Sequence, residues 1–280
     1  MAGSKFAYVR NFELPDTLLP GTFMVLRIDG HAFHRLSEEH GFTKPNDERA
    51  LQLMDHAARD VMNEFKDIVL AFGESDEYSF LFRKSAALYN RREAKILTTI
   101  TSLFTSSYVF NWPKYYTDTP LKYCPSFDGR IVLYPSATVV RDYFSWRQAD
   151  THINNLYNTV FWALVLKGDQ TTTEAHATLR GTVSSQKHEM LFSRFGVNYN
   201  DLPARFRKGS ILVREEVSTD AEGVDGADAT SVLEGAVPPT TPQSTSKKKM
   251  KVRVRTTVEL HHCDIIGDEF WNSRPNILAD

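Results

Sequence analysis

The sequence predicts an α+β fold of the ferredoxin-like (βαββαβ) kind, followed by an additional α+β half. Three features predict it. An apolar run at 22–28 halts abruptly at Asp29-Gly30. Two further runs, 68–72 and 77–83, are parted by little more than Gly73-Glu74-Ser75-Asp76. Helical periodicity fills the stretches before and after this pair, and a last run at 129–134 closes the set. Strand, helix, hairpin, helix, strand is the split βαβ order, and both of its crossovers are expected to be right-handed.

Each element has its own warrant. Residues 22–28 are apolar at nearly every position, as a strand buried on both faces requires. Asp29-Gly30 taken alone reads as a turn pair. Over 46–66, Ala50, Met54, Ala57, Ala58, Val61 and Phe65 form one stripe at helical spacing. Asn46 is the expected N-cap, with Asp47 and Glu48 suiting the positive end of the helix dipole and Lys44 just outside it. The runs at 68–72 and 77–83 make a hairpin. A helix is expected over 88–109, with Ile96, Ile100, Leu103 and Phe104 inward, Arg91, Arg92 and Lys95 on its first turns, and Asn111-Trp112-Pro113 ending it. Pro135 closes the strand at 129–134.

In the second half, Trp146, Ile153, Leu156, Tyr157, Val160 and Leu164 are expected to form the core face of a helix. His152, Asn155 and Asn158 then share a polar flank. Such groups can read nucleobase edges, although spacing alone favours an ordinary polar face. Another helix is expected over 184–195, with Lys187, His188 and Glu189 early in it, then a basic loop at 203–208 containing Arg205, Arg207 and Lys208. Strands at 210–217 and 251–260 flank a segment at about 218–246 that has no aromatic residue and reads as a disordered insertion in a hairpin. The cation-rich stretch 247–255 fits a phosphate-tracking face, a charged edge strand or a nuclear address. The expected domains are 1–137 and 138–280.

Composition narrows the function. Lys and Arg number 33 against 35 Asp and Glu, a net charge of −2. Any nucleic-acid binding must therefore come from local basic patches. Cys124 and Cys263 lack the spacing of a zinc site or a disulfide framework. No apolar stretch reaches the length of a membrane span and residues 1–10 lack a secretory core, so cytoplasm or nucleus is expected.

The topology has a chemical consequence. In this fold the first and third strands are adjacent and antiparallel, so the C-terminal end of one lies beside the N-terminal end of the other. Asp29 and Asp76, 47 positions apart (76 − 29), should meet at one rim of the sheet. Adjacent carboxylates repel unless a cation lies between them. Oxygen donors select Mg²⁺, which binds through one or two carboxylates and substrate phosphates. A pair of such ions can clamp an in-line displacement. Glu77 follows as an accessory acid facing the other way. The alternatives are that these acids only cap turns, or that Tyr78, Phe80 and Phe82 present a stacking face for RNA, although a core role is simpler for them.

Four motifs, Arg27-Ile28-Asp29-Gly30 with His34, Lys44-Pro45-Asn46-Asp47, Phe72-Gly73-Glu74-Ser75-Asp76-Glu77 and His152-Ile153-Asn154-Asn155-Leu156-Tyr157-Asn158, together resemble the tRNA-histidine guanylyltransferase family, nearly end to end apart from 218–246. The resemblance implies a palm-like catalytic domain, similar to polymerase and cyclase palms, running in the 3′-to-5′ direction. ATP would activate the 5′-phosphate of tRNA-His, the 3′-hydroxyl of GTP would attack, and pyrophosphate would finally be removed. By the same resemblance, two Mg²⁺ ions are held by Asp29, the Gly30 carbonyl and Asp76, with Glu77 as a further catalytic acid. Nucleotide contacts fall to Asp29, Gly30, His31, Ala32, Phe33, His34, Lys44, Asn46, Asp47, Ser75, Asp76, Arg92 and Lys95. His152, Asn155, Lys187, Arg205 and Lys208 are the candidates for tRNA handling, and a homotetramer is implied. A nucleotide cyclase shares the palm and its paired acids, and is the enzymatic rival.

Overall fold

The computed structural model describes residues 4–219 and 253–279. Described residues up to Arg214 and from Val258 onward form one compact unit, while Glu215–Thr257 is a second. In chain order the elements of the sheet and its first helices are β1 (Phe23–His31), α1 (Phe33–Glu39), α2 (Glu48–Glu64), β2 (Ile68–Glu74), β3 (Glu77–Phe82), α3 (Glu93–Tyr115) and β4 (Ser126–Tyr134). The second half supplies α4 (Ala137–Leu166), α5 (Thr172–Leu179), α6 (Ser184–Phe195), α7 (Ala204–Lys208), β5 (Ser210–Thr219), β6 (Arg253–His261) and α8 (Asp268–Asn272). The described part of the second unit consists of the ends of β5 and β6. Beyond Thr219 the expected insertion at 218–246 lies outside the described residues, as do positions 247–252.

The sheet order is β4-β1-β3-β2-β5-β6. Its first four strands are the expected split βαβ arrangement, with β1 and β3 central and antiparallel. Strand parity divides the core. Met24, Leu26, Ile28, Tyr78, Phe80 and Phe82 face α2 and α3, where Met54, Ala57, Ile100 and Phe104 meet them. Phe23, Val25, Leu70, Phe72 and Leu81 face α4 and α8, against Val140, Phe144 and Trp271. A third cluster packs the C-terminal half of α4 on α5 and α6 through Leu156, Val160, Leu164, Leu179 and Leu191. Tyr78, Phe80 and Phe82 are no more than 1% exposed. Presenting them to RNA would forfeit about 1.5–3 kcal/mol of burial apiece, so the stacking-face reading is set aside.

Several boundaries differ from expectation. Asp47, not Asn46, caps α2: its carboxylate accepts the Arg49 N–H at 3.0 Å. Residues 88–91 form a 3-10 turn whose Tyr89, Asn90 and Arg91 have positive φ, so α3 starts only at Glu93. It then runs through Pro113 to Tyr115, because Trp112 stacks on Tyr116 at 4.2 Å and donates its indole N–H to Thr119 at 2.7 Å. Packing there outweighs proline's usual tendency to break a helix. Residues 204–208 are helical rather than a loop. Trp146 and Ile153 are 53% and 55% exposed, not core. The inward stripe of α4 passes instead through Arg147, Gln148, Thr151 and Asn155, polar residues that are nonetheless buried.

Gly73 is fixed by close approach: a Cβ there would sit 2.3 Å from the Tyr78 ring. That ring cannot retreat, since its hydroxyl donates to buried Asp55 at 2.8 Å. Gly73→Ala is expected to lower unfolding free energy by about 1–3 kcal/mol, measured by denaturant titration.

Candidate active site

The rim of the sheet is built by backbone register. β1 and β3 pair down to Asp29↔Glu77, and β2 and β3 down to Glu74↔Glu77. Only Ser75 and Asp76 remain to make the turn, with Ser75 at φ 49 as two-residue hairpin turns favour. The Gly30 N–H then donates to the Asp76 carbonyl at 3.0 Å. The Asp29-Gly30 pair is therefore not a turn but part of β1, which stays paired with β4 as far as His31. Gly30 admits no side chain, because its Cβ would meet the Phe33 ring at 2.4 Å.

Asp29 and Asp76 come together here. Asp76 is pushed up, first by burial; the Asp29 charge raises it further, while a Ser75 hydrogen bond and the His34 charge oppose the shift. Among the described residues neither aspartate has an ion-pair partner. Nor do three His, Cys, Asp or Glu side chains gather into a metal cluster by themselves. Two neighbouring acids without a counter-cation suit Mg²⁺, whose remaining oxygen donors come from carbonyls and substrate phosphates.

Glu77 is different. It shares its face with Asp29, as directly opposed residues do. Its carboxylate lies 3.6 Å from Arg27 Nε and 2.9 Å from Arg147 Nε. Burial pushes it up to about 7, with the two arginines opposing and Glu74 and Asp29 adding to the shift. Arg147, only 5% exposed, also donates through Nη2 to Glu74 at 3.0 Å and to Asp150 at 2.9 Å. The Thr151 hydroxyl donates to Glu74 as well. Sequence reasoning missed this network. Its signal is the run of polar residues at 147, 148, 151 and 155, which a helix places on one side.

The other nucleotide candidates divide into groups. His31, Ala32 and His34 are exposed on or beside the rim, whereas the Phe33 ring is buried against Phe127 and Tyr108. Lys44 donates to Ser37 at 3.1 Å and lies 5.4 Å from the Trp162 ring centre. Asn46 donates to Asn155 at 2.9 Å. Asp47 is buried; burial raises it, but hydrogen bonds from Arg49 and Thr43 and the Arg49 charge hold it below the usual carboxylate range. Arg92 is paired with Asp16 at 3.1 Å, and Lys95 lies 4.7 Å from the Tyr89 ring centre.

Of the candidates for tRNA handling, His152 is half-buried beside Tyr199 and His188, at 5.3 and 6.1 Å between ring centres. Burial first, then the charges of His188, Lys208 and Arg207, hold it low. Lys187 donates to the Thr182 carbonyl at 2.7 Å, and Lys208 pairs with Asp264 at 2.8 Å. Two candidates are tied into the fold: Asn155 is buried and donates to Tyr199 at 3.0 Å, and Arg205 pairs with buried Asp55 at 3.0 Å. Among the described residues no helix is long and apolar enough to cross a membrane.

Comparison with known proteins shows two family models on the chain, tRNAHis guanylyltransferase over residues 6–135 and the Thg1 C terminal domain over residues 138–267. A tRNA(His) guanylyltransferase of Schizosaccharomyces pombe is 50% identical, covering 98% of this chain and 97% of its own. A probable tRNA(His) guanylyltransferase of Mus musculus is 51% identical over 100% of this chain and 90% of its own. The crystal structure of the Saccharomyces cerevisiae tRNA(His) guanylyltransferase is 50% identical, with a TM-score of 0.72 over 75% of this chain and 93% of that one. A bacterial Thg1-like protein solved in complex with ATP, at 23% identity, shares the fold with a TM-score of 0.61 over 74% and 85% of the two chains.

The elevated Glu77 makes a signed prediction. Its folded value, about 7, lies above the ordinary 4.5. Between those values the folded state binds more protons than the unfolded one, so stability from this group declines as pH rises through the window. Relative to Glu77→Gln, the native chain should lose unfolding free energy between about pH 4.5 and 7, measured by denaturant titration at each pH. A constant difference across the window would contradict the assignment.

Proposed function

We infer the reaction from family and site together: the chain belongs to the tRNAHis guanylyltransferase family, and it adds a guanosine to the 5′ end of tRNA-His. The observation that carries the site assignment is the contrast among the rim acids. Glu77 is paired by two arginines, while Asp29 and Asp76 stand together with no ion-pair partner among the described residues. Their carboxylates, with the Gly30 carbonyl, would hold Mg²⁺, two ions in this reading. When bound, Mg²⁺ supplies charge neutralisation at the phosphates and holds the attacking and leaving oxygens in line.

The chain's own groups serve binding and alignment. Residues 30–34, where β1 gives way to α1, lie beside this rim and are suited to nucleotide contact. His31 and His34 are exposed there, and Lys44 offers a charge. Phe33 contributes through its backbone, because its ring is in the core. Arg92 and Lys95 at the start of α3 extend the cationic surface. ATP adenylylates the 5′-phosphate of the tRNA with release of pyrophosphate. The 3′-hydroxyl of GTP attacks that phosphorus and expels AMP, and pyrophosphate is finally removed from the added guanosine triphosphate, the reverse of the usual polymerase direction. We assign the tRNA backbone to His152, Lys187 and Lys208, with the nearby Arg207, and treat Asn155 and Arg205 as supports for that surface. A division of labour near residue 137, a homotetrameric assembly and a cytoplasmic or nuclear location complete this reading.

The test is incubation with 5′-phosphorylated tRNA-His, ATP, labelled GTP and Mg²⁺. Label should enter the RNA, whereas a cyclase would need no RNA. Asp29→Ala and Asp76→Ala should each reduce incorporation at least about 10²-fold, with tRNA retention on filters kept. That retention should weaken as salt rises. Undiminished incorporation by either variant would overturn the metal assignment.

A further inference from the structure

We propose that Arg147 is a positioning residue that sets where the Asp76 carboxylate stands, an inference that rests on Asp76 being a metal ligand. Asp76 lies in a two-residue turn, and the residues bounding that turn, Glu74 and Glu77, are both held by this one guanidinium. Glu74 is held by a hydrogen bond from Nη2 at 3.0 Å, and Glu77 by an ion pair with Nε at 2.9 Å that lacks hydrogen-bond geometry. The Thr151 hydroxyl holds Glu74 from the same helix. From the other side, the Gly30 N–H holds the Asp76 carbonyl at 3.0 Å. The turn is thus gripped at both ends and across its backbone.

The grip is firm because Arg147 is itself fixed. Its side chain is 5% exposed, and those of Glu74 and Glu77 are 10% and 12% exposed. The next residue, Gln148, donates to the Lys208 and Cys263 carbonyls at 2.8 and 2.9 Å and accepts from Ile265 N–H at 2.9 Å. Two turns on, Asn155 ties α4 to Asn46 and Tyr199. A rigid helix therefore presents a planar, multiply donating cation to the turn. Lysine cannot replace it: a single ammonium does not reproduce the fork that spans Glu74, Glu77 and Asp150. Because groups outside a metal's ligand set orient its ligands, loosening them weakens metal binding without removing a ligand.

The experiment titrates Mn²⁺ into the full-length protein and counts bound ion by electron paramagnetic resonance, with melting temperature and tRNA retention measured in parallel. Arg147→Lys should weaken Mn²⁺ binding about tenfold while it still melts cooperatively and retains tRNA. Should that variant fail to fold, Glu74→Gln, which keeps shape and loses charge, should shift Mn²⁺ binding in the same direction. Native Mn²⁺ affinity in a folded variant, with activity falling only as the folded fraction falls, would reduce Arg147 to a structural bridge. Native affinity in Asp76→Asn would instead overturn the metal assignment itself.

Discussion

The antiparallel register of β1 on β3 is the constraint on which the rest depends. It pairs Asp29 with Glu77 and leaves the Gly30 N–H to meet the Asp76 carbonyl. The same register sends Met24, Leu26 and Ile28 to one layer and Phe23 and Val25 to the other. Strand side chains alternate with a period of two, so a slip of one residue would exchange the layers and carry Asp29 to the wrong side. Core and site are therefore specified by one set of backbone hydrogen bonds, and a register that buries the apolar residues also assembles the acids.

Electrostatics then separates residues of the same kind. Besides the exposed Asp128, which lies opposite Asp29 on β4, four acids lie within a short stretch of rim. Glu74 and Glu77 are buried against Arg147, with Arg27 beside Glu77, and those pairs serve geometry more than stability, because the desolvation of buried charges offsets much of their attraction. Asp29 and Asp76 have no such partner among the described residues. Their mutual repulsion favours a cation between them. Nearby, Asp55 meets the Tyr78 hydroxyl and Arg205, so an acid inside the fold is satisfied by the fold itself. What sets the two proposed metal ligands apart is the lack, among the described residues, of an ion-pair partner, not their residue type.

Much of this was legible in the sequence, because strand periodicity and hairpin spacing are local signals. The runs around Ile28, Leu70, Phe80 and Ile131 needed only their own pattern, and the meeting of Asp29 with Asp76 followed from topology. Other features were not legible because their causes are distant in sequence. The polar stripe at 147, 148, 151 and 155 is local, but the reason it is buried is not, since the partners of Arg147, Glu74 and Glu77, lie some seventy residues away. The inward face of α4 was misjudged for the same reason: Trp146 and Ile153 look like core, but polar contacts to β2, β3 and the C-terminal segment rotate Arg147, Gln148 and Thr151 inward. The persistence of α3 through Pro113 depends on stacking of Trp112 with Tyr116. Asn155 and Arg205 read as surface groups for RNA, yet the structure engages them with Tyr199 and Asp55.

The central proposal is that Asp29 and Asp76, which have no ion-pair partner among the described residues, hold the ion that handles the nucleotide. Anomalous diffraction from crystals grown with Mn²⁺ and a non-hydrolysable GTP analogue examines it most directly. The account predicts manganese peaks in contact with the carboxylates of Asp29 and Asp76 and with the Gly30 carbonyl. Manganese bound by the triphosphate alone, with neither aspartate touching it, would contradict the account.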